Sequence, residues 1–185
     1  MLKRKPFYFM RHGQTDWNKQ KRWQGQTDIP LNEYGRAQAR QASKHIVDHI
    51  QAIFYSPLSR AYETMLLATE HLKQQPRVSL DDLKEWHYGS LEGKIRSSAW
   101  PQAWFDAPPQ GETRQEFYER VFRGLNTALS HEYEPILIVG HSATFRALCH
   151  HLNTKHYEIS NAQLVYVCPS EQEGWVIQLL SSENV

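Results

Sequence analysis

Phe7-Tyr8-Phe9-Met10-Arg11-His12-Gly13 is the stretch on which the architecture turns. Four consecutive apolar residues read as a buried strand. That strand, placed at about Lys5–Arg11, runs straight into a cation, an imidazole and a glycine. In an open α/β sheet, ligands bind beyond the carboxyl ends of the strands. Gly13 is expected to let the backbone approach a ligand closely. A second stretch repeats the plan. Ile136-Leu137-Ile138-Val139 is the strongest strand pattern in the chain, and it ends in Gly140-His141-Ser142. Parallel neighbours would bring His12 and His141 to one sheet edge. Ser142 and Ala143 open a helix there, and free N–H groups at a helix N-terminus attract anions.

Outward from these two stretches, strand and helix signals alternate. The alternation predicts an α/β fold, three layers (α/β/α) around a mostly parallel central sheet. A polar loop from Gln14 to Asp28 closes with Ile29-Pro30-Leu31. Asn32 is a helix N-cap, and the helix behind it carries Ala37, Ala39, Ala42, Ile46 and Ile50. Ala52-Ile53-Phe54-Tyr55 is a short buried strand. Ser56-Pro57 then opens a helix with a cap and an N1 proline, running to about Lys73. Arg77–Leu80 reads as a strand. The stretch from Asp81 to Pro109 is irregular and holds Trp86, Tyr88, Trp100, Trp104 and Phe105. Phe117, Val121, Leu125 and Leu129 recur at one-turn intervals on a long amphipathic helix. Leu164–Cys168 and Trp175–Leu180, on either side of Glu173-Gly174, read as a hairpin at one edge of the sheet.

The chain has 185 residues, 40% of them hydrophobic, which suits one domain with a real core. A net charge of +1 gives no case for bulk nucleic-acid or membrane affinity. Lys3, Arg4 and Lys5 read as a solvated terminus. Arg11-His12 interrupts the apolar run that a signal peptide would need, and no run is long enough to cross a bilayer. Cys149 and Cys168 lack metal-ligand spacing and read as thiols acting as small hydrophobes, which fits a reducing compartment, the cytoplasm. The 10 histidines show no metal-binding pattern, and most are expected to face solvent.

The chemistry converges on few residues. Arg60 follows the Ala52–Tyr55 strand, and with Arg11 it can grip an oxyanion through forked N–H groups. Glu85 lies in Lys84-Glu85-Trp86-His87-Tyr88-Gly89. Two arginines, two histidines, a carboxylate and a helix N-terminus suit phosphoryl transfer through a histidine nucleophile. The guanidinium groups keep an imidazole neutral for attack and neutralise charge on the equatorial oxygens. Blander readings stand beside these. Glu85 is a surface carboxylate paired with Lys84, or Arg60 only balances helix-surface charge. Gly111-Glu112-Thr113 is either a helix start, with Glu112 near the positive end of the dipole, or a substrate contact. Asn161 carries no assigned role.

Arg11-His12-Gly13-Gln14-Thr15-Asp16-Trp17-Asn18 resembles the opening signature of the histidine phosphatase superfamily, the phosphoglycerate-mutase-like group. Gly25, Asp28, Pro30-Leu31 and Gly35-Arg36-Ala37-Gln38-Ala39 continue it. Ser56-Pro57-Leu58-Ser59-Arg60-Ala61 is similar to the second-arginine motif, Glu85-x-x-Tyr88-Gly89-x-x-Glu92-Gly93 to the acid motif, and Val139-Gly140-His141-Ser142 to the second-histidine motif. The resemblance implies one phosphoglycerate-mutase-like domain over 1–185, with a lid-like segment at about 86–111. It implies that His12 becomes a phosphohistidine and that Glu85 protonates the leaving alkoxide, then helps water attack. Arg11, Arg60 and His141 would hold the phosphoryl oxygens with support from Asn18, and Gln24, Gly25 and Ser142 would line the pocket. No metal or cofactor is implied.

The superfamily contains phosphatases and mutases. Mutases resemble Glu-Arg-His-Tyr-Gly at the acid motif, where this chain has Trp86 in place of arginine. The stretch from Ala99 to Gly111 is short and lacks the mutases' arginine pair, although Arg96 could compensate in part, and His87 is either a mutase-like position or an outward ring. These features favour a phosphatase acting on a small phosphorylated metabolite. Length and style resemble α-ribazole phosphatase, so α-ribazole 5'-phosphate is one candidate substrate. The alternatives are a phosphoglycerate mutase and a non-catalytic module that binds a phosphorylated ligand. The aromatics of 86–105 cover a substrate, pack as core, or join two copies in a homodimer.

Overall fold

The apolar runs become the centre of one sheet. The computed structural model describes residues 2–97, 99–155, 158–172 and 174–180. Its strands are β1 (Phe7–Arg11), β2 (Ala52–Tyr55), β3 (Arg77–Ser79), β4 (Ile136–Gly140), β5 (Leu164–Ser170) and β6 (Gly174–Leu179), in the order β3-β2-β4-β1-β5-β6. The first four in that order are mutually parallel. β5 and β6 add an antiparallel edge, as the hairpin pattern predicts. Glu173, in the connection between them, lies outside the described residues.

Because strand side chains alternate, each face of the sheet fills a different core. Phe7, Phe9, Phe54, Ile136, Ile138, Val165 and Val167 pack with α4 (Arg114–Ser130) and α5 (Ser142–His151). Met10, Ile53, Leu137, Val139 and Leu164 pack with α2 (Glu33–Ala42) and α3 (Ser59–Ala68). The result is the expected α/β/α sandwich. No helix among the described residues is long and apolar enough to cross a membrane.

Local chemistry moves several boundaries. Asn32 caps α2 by accepting from the Gly35 N–H at 2.8 Å. Gly35, Ala39 and Ala42 form its buried stripe, while Ala37 is half a turn away and exposed. Ile46 and Ile50 are buried beyond the helix rather than on it. α1 (Asp16–Lys19), closed by a Thr15–Asn18 capping box, occupies part of the stretch read as a polar loop. α3 starts at Ser59, not at Ser56-Pro57, and ends at Ala68. Its cap comes from elsewhere: Asp28 Oδ1 accepts from both the backbone N–H and the hydroxyl of Ser59, each at 2.8 Å.

The irregular stretch becomes short 3-10 turns at Asp81–Leu83, Gly89–Leu91 and Gln102–Phe105. Its aromatics pack inward. Trp86 is buried and stacked on Phe117, with ring centroids 5.1 Å apart, and Trp23 lies 4.5 Å from Tyr88. Trp100, Trp104 and Phe105 are partly buried against the same core.

Candidate active site

Strand register assembles the site. Arg11 stands opposite Gly140 in the β1–β4 pair, so His12 and His141 leave neighbouring strands together. The His12 N–H donates to the Gly140 carbonyl at 3.0 Å, and the two imidazole centroids are 5.2 Å apart. Tyr55 stands opposite Val139, which places Ser56 beside them. His141 Nε2 lies 2.7 Å from Ser56 Oγ. The same hydroxyl, expected to cap a helix, also accepts from the Leu58 N–H at 3.4 Å. Arg60, in the first turn of α3, is completely buried and is the largest such side chain among the described residues.

The buried His12 ring has one tautomer that fits. Its Nδ1 lies 2.6 Å from the Gly13 carbonyl oxygen, which can only accept. The proton therefore sits on Nδ1, and Nε2 keeps its lone pair. Burial, then Arg60 and Arg11, hold the His12 pKa well below the usual histidine range. Burial, Arg60, His12 and Arg11 do the same for His141. Burial also lowers the Arg11 and Arg60 guanidinium groups to about 10, so both stay charged near neutrality. Arg60 donates to the carbonyls of Gly25 (2.7 Å) and Thr27 (3.0 Å), and Arg11 to that of Ile159 (2.7 Å). Arg11 Nε, Arg60 Nε and His141 Nδ1 are buried without a hydrogen-bond partner among the described residues. Unpartnered guanidinium N–H groups clustered near a bare imidazole nitrogen suit an oxyanion.

Glu85 is buried with them, not on the surface beside Lys84. Its Oε1 accepts from the Trp86 N–H at 2.9 Å and its Oε2 from the Ala143 N–H at 3.3 Å. The group that meets the α5 N-terminus is thus the protein's own Glu85 side chain, while Ser142 is half-buried at the helix start. Asn18 Oδ1 accepts from the N–H and hydroxyl of Thr15 and from Asn161. Gln24 is buried and accepts from Thr15 Oγ1 at 2.9 Å. Gly25 has φ 55°, and a Cβ there would run into the Glu92 carboxylate. One expectation is corrected at Gly13. A Cβ there would strike Gly35 of α2, and the Gly13 N–H donates to Thr64 Oγ1 at 2.9 Å, so its bareness serves helix packing rather than a ligand.

Further residues contribute beyond those expected from the sequence. Ser56, expected as a cap, meets His141. Asn161 donates to the His12 carbonyl at 3.0 Å. Glu92 was visible within the acid motif, and its carboxylate receives the N–H groups of Gln26, Thr27 and Tyr88, tying two loops together. Lys21 and Arg22 join Arg11, Asn18, Arg96 and Asn161 around a cavity of about 260 Å³. A short antiparallel bridge between Arg22 and Ile95 presents them, with the Arg96 N–H on the Lys21 carbonyl at 2.8 Å.

Fold and site together define a class: an α/β enzyme of phosphoryl transfer, with a neutral imidazole set among buried guanidinium groups. The chain belongs to the histidine phosphatase superfamily (branch 1), whose family model matches residues 7–182. It is 36% identical over 178 residues to the uncharacterized phosphatase PhoE of Bacillus subtilis, covering 91% of this chain and 90% of that one. It is 31% identical over 183 residues to 2,3-bisphosphoglycerate-dependent phosphoglycerate mutase 2 of Gloeobacter violaceus, covering 86% and 81%. Among solved structures, a putative α-ribazole-5'-P phosphatase from Escherichia coli superposes with a TM-score of 0.82. That likeness covers 97% of each chain at 22% identity, and it speaks to the fold alone.

Proposed function

We propose that this protein hydrolyses phosphomonoesters of small metabolites without a metal ion, through a phosphohistidine on His12. The observation that carries this reading is the Nδ1–H bond to the Gly13 carbonyl, which leaves Nε2 basic beside two buried arginines. Nε2 attacks phosphorus and the bond to the ester oxygen breaks. Glu85, in its acid form, gives its proton to the leaving oxygen. Water then attacks phosphorus, its proton passes to Glu85, and the N–P bond breaks to restore the Nε2 lone pair. Arg11, Arg60 and His141 hold the phosphoryl oxygens throughout, with Asn18, Gln24, Gly25 and Ser142 around them.

Trp86 supports hydrolysis over mutation. It occupies the position of a mutase arginine and is stacked into the core, with its indole N–H on the Glu112 carbonyl at 2.7 Å. The cationic cavity beside Arg11 supports a second reading. No carboxylate among the described residues lines it, so it suits a substrate with a second anionic group, as a mutase substrate has. For the phosphatase, α-ribazole 5'-phosphate is the substrate that the sequence resemblance suggests.

The test is release of phosphate from p-nitrophenyl phosphate in excess EDTA, beside His12→Ala. Turnover that vanishes in the variant, with an acid-labile, alkali-stable phosphoryl-enzyme in the wild type, supports the proposal. Binding of phosphate with no turnover on any ester would leave a binding module. Isomerisation of 3-phosphoglycerate without phosphate release would favour the mutase. Activity on α-ribazole 5'-phosphate no better than on ribose 5-phosphate would remove the ribazole assignment.

A further inference from the structure

Arg120 and Glu112 lie outside the site, yet they hold the segment that carries Glu85. Arg120 uses its guanidinium completely. Nε donates to Glu112 Oε1 at 2.6 Å and Nη2 to Glu112 Oε2 at 2.7 Å. Nη1 donates to the carbonyls of Asp82 and Lys84, both at 3.0 Å, and Nη2 to that of Glu85 at 3.2 Å. These five bonds match the five N–H groups of the side chain. Glu112 grips the other side of Glu85. Its Oε2 accepts from the His87 N–H at 2.9 Å, and its carbonyl accepts from the Trp86 indole.

The pair is mostly buried and rides on a rigid support. Arg120 projects from α4, one turn beyond Phe117, and its guanidinium lies 5.3 Å over that ring. Phe117 in turn stacks on Trp86, with the ring planes 9° apart. Gly124 lets α4 close on Asp82, because a Cβ there would meet the Asp82 side chain at 2.9 Å. The backbone is therefore fixed on both sides of Glu85, and the carboxylate then needs only its own rotamer and two N–H bonds. The fork geometry is specific to arginine, since lysine cannot hold two carboxylate oxygens and three carbonyls at once.

We infer that Arg120 and Glu112 are positioning residues that aim the Glu85 carboxyl at the leaving oxygen, and so govern how well the enzyme cleaves esters with poor leaving groups. The inference rests on Glu85 being the general acid of the proposed hydrolysis. A nitrophenolate leaves without a proton, whereas an alkoxide needs one. kcat/KM spans the steps up to the phosphohistidine, so it reports the leaving group directly.

The experiment compares kcat/KM for p-nitrophenyl phosphate and glycerol phosphate in the wild type, Glu112→Gln, Arg120→Lys and Glu85→Gln, with circular dichroism on each. We expect the ratio of the two values to rise about 10- to 100-fold in Glu112→Gln and Arg120→Lys, in the direction taken by Glu85→Gln. An unchanged ratio, with both esters slowed equally, overturns the inference and leaves the pair a structural tie. Loss of folded protein in both variants overturns it in the same way. If Glu85→Gln itself leaves the ratio unchanged, the general-acid reading fails, and that outcome is separate from the behaviour of the pair.

Discussion

His12 and His141 are buried imidazoles kept neutral, which has consequences for pH in both activity and stability. In the proposed hydrolysis His12 must be unprotonated to attack, and its pKa lies below its ordinary value because of burial first and Arg60 second. The acid limb of the kcat/KM profile is therefore expected below about pH 6.5. Arg60→Gln removes one of the depressing charges. It should move that limb upward and lower kcat/KM by about 10²–10³-fold, as a pH–rate profile of both proteins would show. Stability follows the same protons. Unfolded histidines take up a proton below about 6.5 while the buried pair does not, so the unfolded state binds more protons there. The stability from the two rings is present above that pH and lost as pH falls, at up to about 1.4 kcal/mol per unit for each ring. Urea midpoints compared at about pH 7.5 and about pH 5.5 should show the decline. The two histidines were legible in sequence, because a histidine directly after an apolar run marks a sheet edge, and Glu92 was legible as part of the acid motif but not in what it binds. The roles of Asn161 and Arg120 were not, because they work through backbone carbonyl groups, which leave no side-chain pattern to read.

Helices and strands were legible to different degrees, for physical reasons. Phe7–Arg11, Ala52–Tyr55 and Ile136–Gly140 are buried on both faces, so their apolar runs are unbroken. α4 shows its full stripe over 17 residues. α1 has four residues and no stripe to show. The start of α3 was misplaced because Ser56 Oγ meets His141 and accepts from the Leu58 N–H only at 3.4 Å, while the cap of Ser59 lies 31 residues earlier in sequence. Asp28→Ala is accordingly expected to cost about 1–2 kcal/mol, since it removes two hydrogen bonds and a charge from a helix N-terminus. Chemical denaturation would check this. A loss of less than about 0.3 kcal/mol would mean that water replaces the cap fully.

At the scale of the whole molecule, the three-layer arrangement was legible because strands and helices alternate along the chain. The order of the strands was not, since nothing local says that β4 inserts between β1 and β2. That insertion brings the two histidines together. It also couples the site to the two cores. The alternation that sends Phe7 and Phe9 to one side of the sheet and Met10 to the other also fixes where His12 emerges. A slip of β1 by one residue would turn each core's side chains into the opposite layer as well as separating the imidazoles. The two imidazoles cannot part by a register slip while the sandwich survives. Heating should therefore leave the enzyme fully competent until it melts, with residual activity and far-ultraviolet ellipticity falling along one curve. The protein would behave as an on–off device with respect to temperature, with no partly active intermediate for proteases or selection to act upon.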